Sequence, residues 1–237
     1  MAKWVVSAKS ADFQGISNKF HIDPVIARII RNRDILGEKE IDLYLNANLS
    51  HMHSPYLLKD IERAAEKIIE AIAWKKKIRV IGDYDVDGIC ASYILKEGLN
   101  ALAADVDVRV PHRIKDGYGL NESLIEEAKN AGIEVVITCD NGIAAKEAIA
   151  YAGSLGMTVV VTDHHEVPFE IDDEGNKNYQ LPPAYAVVNP KQEDCKYPFS
   201  GICGAMVAYK LIQVLYDKNK KEAEQAAAKK TIEKYYA

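Results

Sequence analysis

The stretch IRVIGDYDVDGICASYILKEGLNALAADVDVRV (78–110) opens on a β-branched apolar run and passes through three aspartates and a glycine. It continues as a helix-patterned segment and ends in a second β-branched run. Strand, loop, helix and strand within about thirty residues make one unit of parallel α/β structure. Asp83, Asp85 and Asp87 stand at alternate positions in the connecting loop. Like charges that close repel, so either solvent around a turn or a bound cation has to offset them.

The rhythm continues outward from this unit. Apolar runs rich in valine and isoleucine recur at 78–82, 105–110, 134–138, 158–162 and 185–189, with helical stretches at 88–103, 122–132 and 143–156. Continuous apolar strands alternating with helices predict a doubly wound α/β domain, a five-stranded parallel sheet with helices on both faces. Residues 1–57 read as a small helical N-terminal region with helices at 24–34 and 38–46, and residues 58–237 as the α/β domain. A helix over 60–77 has Asp60 as its N-cap and lysines in its last turn. The polar, proline-containing segment 166–183 is a surface excursion, and two helices, 203–217 and 220–237, close the chain.

Composition narrows the class. In 237 residues, 48% apolar content supports one large core, and no apolar run is long enough to span a bilayer. The start, MAKWVVSAKS, lacks the apolar centre of a signal peptide. Four cysteines without CxxC spacing read as buried, reduced thiols, so the expected location is cytoplasmic, away from membranes. A net charge of −5 excludes a surface basic throughout but not a local basic groove.

In open parallel sheets, ligands bind beyond the carboxyl ends of the strands. Those ends carry a one-sided inventory: Asp83, Asp85, Asp87 and Gly88; then His112, Arg113, Lys115 and Tyr118 between two glycines; then Asp140, Asn141 and Gly142; then Asp163, His164 and His165. Asn189 and the segment FSGICG (199–204) follow the fifth run. Each piece alone has an ordinary explanation as a turn, a cap or a solvated loop. The fold aims them all at one edge, and hard oxygen ligands with imidazoles suit Mn²⁺ or Mg²⁺. Carboxylates converging in this way also match a two-metal site, with cations roughly 3.5–4 Å apart. Gly88 and Gly142 each read as opening a helix whose N-terminus could face a phosphate. Neither GxxxxGK[ST] nor GxGxxG occurs, so nucleoside triphosphates and dinucleotides are not favoured.

GDYDVDG (82–88), RIKDGYGLN (113–121), CDNG (139–142) and TDHHE (162–166), in this order, resemble the successive motifs of the DHH phosphoesterase superfamily. Within it, SPYLLKDIERAAEKI (54–68), VVNPKQ (187–192) and FSGICGAMVAYKL (199–211) are similar to the branch of single-strand-specific DNA exonucleases. The resemblance implies 5′-to-3′ hydrolysis of single-stranded DNA in repair and recombination, with two Mn²⁺ or Mg²⁺ ions. It makes Asp83, Asp85, Asp87, Asp140 and His164 metal ligands, with Asp140 bridging, and Asp140, His164 and His165 the catalytic set. Arg113, Lys115, Tyr118 and Asn141 become substrate contacts, the aromatic ring stacking on bases without regard to sequence. It further implies a helicase or single-strand-binding protein as partner. In the family a further aspartate and a second domain follow, so the chain reads as an amino-terminal fragment that alone binds Mn²⁺ weakly and degrades DNA poorly. The competing reading is a DHH enzyme of small substrates: short oligonucleotides, cyclic dinucleotides or pyrophosphate. All motif carboxylates and both histidines are present, which separates the chain from non-catalytic relatives.

Overall fold

The computed structural model describes residues 9–236 except 115 and 118. Two compact units divide the chain between Met52 and His53, ahead of the expected boundary after residue 57.

The first unit holds α1 (Phe13–Phe20), α2 (Pro24–Asn32) and α3 (Glu38–Asn46). Asp12 and Asp23 accept backbone N–H groups at the starts of α1 and α2, and Pro24 stands in the first turn where its missing N–H costs nothing. The sequence reading missed α1. That helix carries Gly15 and Asn18, and Ser17 is its one buried residue, so it leaves little periodic apolar signal.

The second unit is the doubly wound domain. In chain order it contains α4 (Ile61–Ala73), β1 (Ile78–Gly82), α5 (Val86–Ala101), β2 (Val106–Arg109), α6 (Glu122–Asn130), β3 (Val135–Cys139) and α7 (Lys146–Ser154). Then follow β4 (Thr158–Thr162), β5 (Phe169–Ile171), β6 (Lys177–Tyr179), β7 (Ala186–Val188) and α8 (Gly204–Tyr236). The main sheet has the order β2-β1-β3-β4-β7, every pair parallel, with Gly82 opposite Cys139 and Cys139 opposite Thr162. Strand order reverses between β1 and β3, which makes their ends the switch point where such sheets bind ligands.

Alternation along the strands divides the core. Ile78, Val80, Val135, Ile137 and Val160 pack with α4, α5 and α8, while Ile81, Val136, Val159 and Val161 pack with α6 and α7. On edge strand β2, the buried Arg79 guanidinium of β1 makes a bidentate pair with Asp107 and also reaches Glu127 on α6. That gives a buried charge the paired, hydrogen-bonded setting it requires.

Several local expectations are corrected. Asp60 does not cap α4: it sits at φ 61°, and its carboxylate instead accepts the Val187 N–H of β7 at 3.2 Å. The lysines fall after α4, because Lys75 turns left-handed at φ 53° and ends the helix. The closing helices are a single helix, α8, since residues 217–221 contain no glycine or proline to break it. The excursion at 166–183 carries an exposed antiparallel hairpin, β5–β6, whose turn is organised by Asp172 accepting the Glu174 and Asn176 N–H groups. Of the cysteines only Cys139 is buried, whereas Cys90 and Cys203 are exposed. Burial pushes the Cys139 thiol up to about 12, so it stays a protonated packing group. Among the described residues no helix is long and apolar enough to cross a membrane.

Candidate metal centre

Four loops at the carboxyl edge build the site. After β1, buried Asp83 accepts the Tyr84 N–H, and Asp85 caps α5 by accepting the Gly88 N–H at 2.9 Å. A Cβ on Gly88 would lie 2.6–2.7 Å from the Asp83 backbone. The glycine is therefore needed so that α5 can begin against Asp83. Backbone cannot yield as a flexible side chain can, so Gly88→Ala is expected to lose about 1–3 kcal/mol of stability, read from urea unfolding midpoints.

After β3, Asp140 is 1% exposed and takes the left-handed conformation at φ 61°. Asp tolerates that region better than most residues, and such positions concentrate at functional sites. The neighbouring Asn141 is 2% exposed and donates to the Ile81 and Cys139 carbonyls. It fastens β1 to β3, which removes its donors from the substrate role assigned from sequence. Gly142 does not open a helix either. At φ 109° its Cα faces Thr138, and α7 starts only at Lys146.

After β4, Asp163 is also 1% exposed and fully engaged. One oxygen accepts the Ile143 N–H; the other accepts the His164 and His165 N–H groups and lies 2.8 Å from His165 Nδ1. Burial pushes its carboxyl up, but the hydrogen bonds from His165 and Ile143 overcome this and hold it below the usual range. The same contact raises His165 above an ordinary imidazole. Asp163 thus orients His165, a role the sequence reading missed although the Asp-His-His triplet displayed it. The Asn189 side chain, after β7, donates to the His165 carbonyl and ties this loop to the sheet.

These loops bring together two groups able to hold a cation: Asp83 with Asp85 and Asp140, and Asp140 with His164 and His165. In each, one ligand atom per residue lies within 4.8 Å of the others, and Asp140 belongs to both. Buried Asp140 Oδ1 lies 2.9 Å from His164 Nε2 without hydrogen-bonding alignment, and no donor satisfies it among the described residues. An orphaned buried carboxylate oxygen is costly unless something else coordinates it. Burial, then the charges of Asp87 and Asp85, push Asp140 up to about 7, and burial raises Asp83 as well. Divalent cations would offset that repulsion, so the donor set fits them.

Asp87 behaves differently. Its two oxygens each accept a backbone N–H from α8, Gly204 and Ala205, both at 2.7 Å. It lies in neither cation-capable group, yet its Oδ2 also stands 3.5 Å from His164 Nε2, at the edge of the centre. Arg113 stands over the Tyr84 ring, 5.3 Å from its centroid, which places one cation beside the acidic loop. Asp116 shapes the surrounding segment by accepting the His112 N–H and pairing with Arg109. Lys115 and Tyr118 lie outside the described residues.

A doubly wound sheet whose switch point joins carboxylates and imidazoles into two overlapping groups defines a cation-binding α/β domain. Residues 77–237 match the DHH family, N-terminal domain, and the chain belongs to that family. The single-stranded-DNA-specific exonuclease RecJ of Bacillus subtilis (strain 168) is 33% identical over 97% of this chain and 28% of that protein. The same-named protein of Haemophilus influenzae is 34% identical over 83% of this chain and 32% of its own length. The chain therefore spans about a third of these relatives. A crystal structure of exonuclease RecJ bound to manganese aligns with TM-score 0.56 and 34% identity over 68% of this chain and 38% of that one.

Proposed function

We propose that this protein is the metal-binding part of a single-strand-specific DNA exonuclease that hydrolyses phosphodiester bonds from the 5′ end. The observation that carries the reading is Asp140, a buried carboxylate common to both cation-capable groups and left with an unsatisfied oxygen. Asp83, Asp85, Asp87, Asp140 and His164, with His165 beside them, would hold two Mn²⁺ or Mg²⁺ ions, Asp140 being common to both groups. Such a pair supplies positive charge for the phosphoryl oxygens and a nucleophilic water at neutral pH.

The chain's own residues prepare that site. Asp163 fixes the orientation of the His165 ring through Nδ1. Arg113, held over Tyr84, is the cation for a backbone phosphate, and Lys115 and Tyr118, assigned to the substrate from sequence, are candidates for further phosphate and base contacts. Relatives named as single-stranded-DNA-specific exonucleases support this substrate. The location that goes with it is cytoplasmic, and a helicase or single-strand-binding protein is the corresponding partner class.

The test uses the full-length protein with 5′-phosphorylated single-stranded DNA, the matching duplex and a dinucleotide. Mn²⁺-dependent release of mononucleotides from the single strand, stopped by EDTA and at least about tenfold slower on the other two, is expected; one such factor corresponds to only about 1.4 kcal/mol of barrier. Faster turnover of the dinucleotide would replace this reading with a phosphodiesterase of small substrates.

A further inference from the structure

A series of side chains of alternating charge runs from the core to the loop that carries Arg113. Arg79 on β1, with Asp107 and Arg109 on β2, lies on the sheet face that α6 covers, since Ile81, opposite Arg109 in the register, packs there. Arg79 holds Asp107 and reaches Glu127 of α6 at 3.2 Å. Glu127 also accepts from Arg109 Nε at 3.0 Å, and the same guanidinium donates to Asp116 at 2.9 Å. The Arg79 side chain is only 9% exposed, so the far end of the series is anchored in the core. Exposed ion pairs hold little one by one, but each charge here is shared by two neighbours, and a network fixes geometry better.

Asp116 ends the series and closes a turn. Its Oδ2 accepts the His112 N–H at 2.7 Å beside the Arg109 bond, and its own N–H donates to the His112 carbonyl at 2.9 Å. Its carbonyl accepts the Asn121 side chain, which also caps α6. Arg113 stands inside this closed turn, its guanidinium over the Tyr84 ring. The backbone that carries the arginine is thus tied both to β2 and to the start of α6.

We propose that Asp116 is a positioning residue for the DNA strand: held by Arg109 and Glu127, it closes the 112–116 turn and so presents Arg113 to a backbone phosphate. This rests on the substrate reading above. The sign of its effect separates positioning from plain electrostatics. Removing a carboxylate beside a phosphate track should tighten binding by charge alone. If Asp116 aims Arg113, removing that carboxylate weakens binding instead.

The test measures kcat and KM of the full-length protein on 5′-phosphorylated single-stranded DNA at saturating Mn²⁺ and several salt concentrations. Absence of cleavage by the unaltered protein would sink the substrate reading itself. In Asp116→Asn, KM is expected to rise about 10- to 100-fold, the worth of one charge-assisted contact, with kcat and Mn²⁺ affinity unchanged. The slope of log KM against log salt should fall by about 0.7, as for one lost phosphate contact on a single strand. Glu127→Gln should raise KM by about threefold, the worth of a half-exposed ion pair, although it too removes a negative charge. In an Arg113→Ala background, Asp116→Asn should add less than about twofold, because both act through one contact. A KM unchanged or lowered in Asp116→Asn, or losses that add to those of Arg113→Ala, would overturn the proposal.

Ile125→Val is the control for general loosening. Ile125 is a fully buried residue of α6 in the core beneath it. The change should lower the melting temperature and leave KM unchanged, and an equal rise in KM would overturn the proposal. If Asp116→Asn does not fold, Glu127→Gln decides, and an unchanged or lower KM in that variant overturns it.

Discussion

Asp140→Asn in the full-length protein is expected to eliminate Mn²⁺-dependent cleavage of single-stranded DNA while the metal-free domain keeps its fold. Substitutions behind a ligand already cost about 10- to 100-fold, and Asp140 is the one residue shared by both cation-capable groups. The loss should therefore exceed about a hundredfold in turnover at saturating Mn²⁺. Asparagine suits the site sterically, since it also tolerates the left-handed backbone at φ 61°.

Stability should move in the other direction. Burial and the charges of Asp87 and Asp85 raise the Asp140 carboxyl to about 7, so at pH 8 the metal-free fold carries an ionised group it disfavours. Removing that charge should leave the metal-free melting temperature at pH 8 unchanged or higher. A residue retained for structure alone would show the reverse, a lower melting temperature with activity retained by the folded fraction. Retained turnover in a folded Asp140→Asn protein would end the bridging assignment.

The sheet was legible because its strands are buried on both faces and read as unbroken apolar runs. β4 matches its run from Thr158 to Thr162, and β1 from Ile78 to Gly82. The convergence of Asp83, Asp140 and the two histidines was legible for a related reason. Parallel topology puts every strand's carboxyl end on one edge, so sequence position predicts spatial proximity.

What stayed hidden depends on contacts between distant segments. Asp83, Asp85 and Asp87 look equivalent in sequence, yet the last also accepts amides of residues far along the chain. Asn141 resembles a substrate contact until its amide is seen donating to β1 and β3. Gly88 and Gly142 read alike, but one admits the start of α5 and the other turns beneath Thr138. Local composition told which residues gather at the edge. It did not tell which way each side chain turns.

Mn²⁺ is expected to raise the melting temperature strongly at pH 8 and hardly at all at pH 5.5. The sign follows from Asp140, whose folded-state carboxyl titrates at about 7, above the ordinary value it regains on unfolding. A raised value means the proton favours the folded state. That contribution is complete below the unfolded value, near 4, and is lost as pH rises through about 7. The metal-free domain therefore loses stability across this window. A cation competes for the same oxygens, so its binding strengthens over the same interval. His165 acts in the same sense: its contact with Asp163 raises its affinity for a proton, and only the neutral ring can serve as a ligand. At a hundredfold excess over Kd, binding to the folded state alone contributes about 2.7 kcal/mol, or about 5–10 °C in a domain of this size. Scanning calorimetry with Mn²⁺ and with EDTA at the two pH values measures the difference. Equal Mn²⁺ shifts at both would mean that the cation binds elsewhere than at the Asp140 carboxylate.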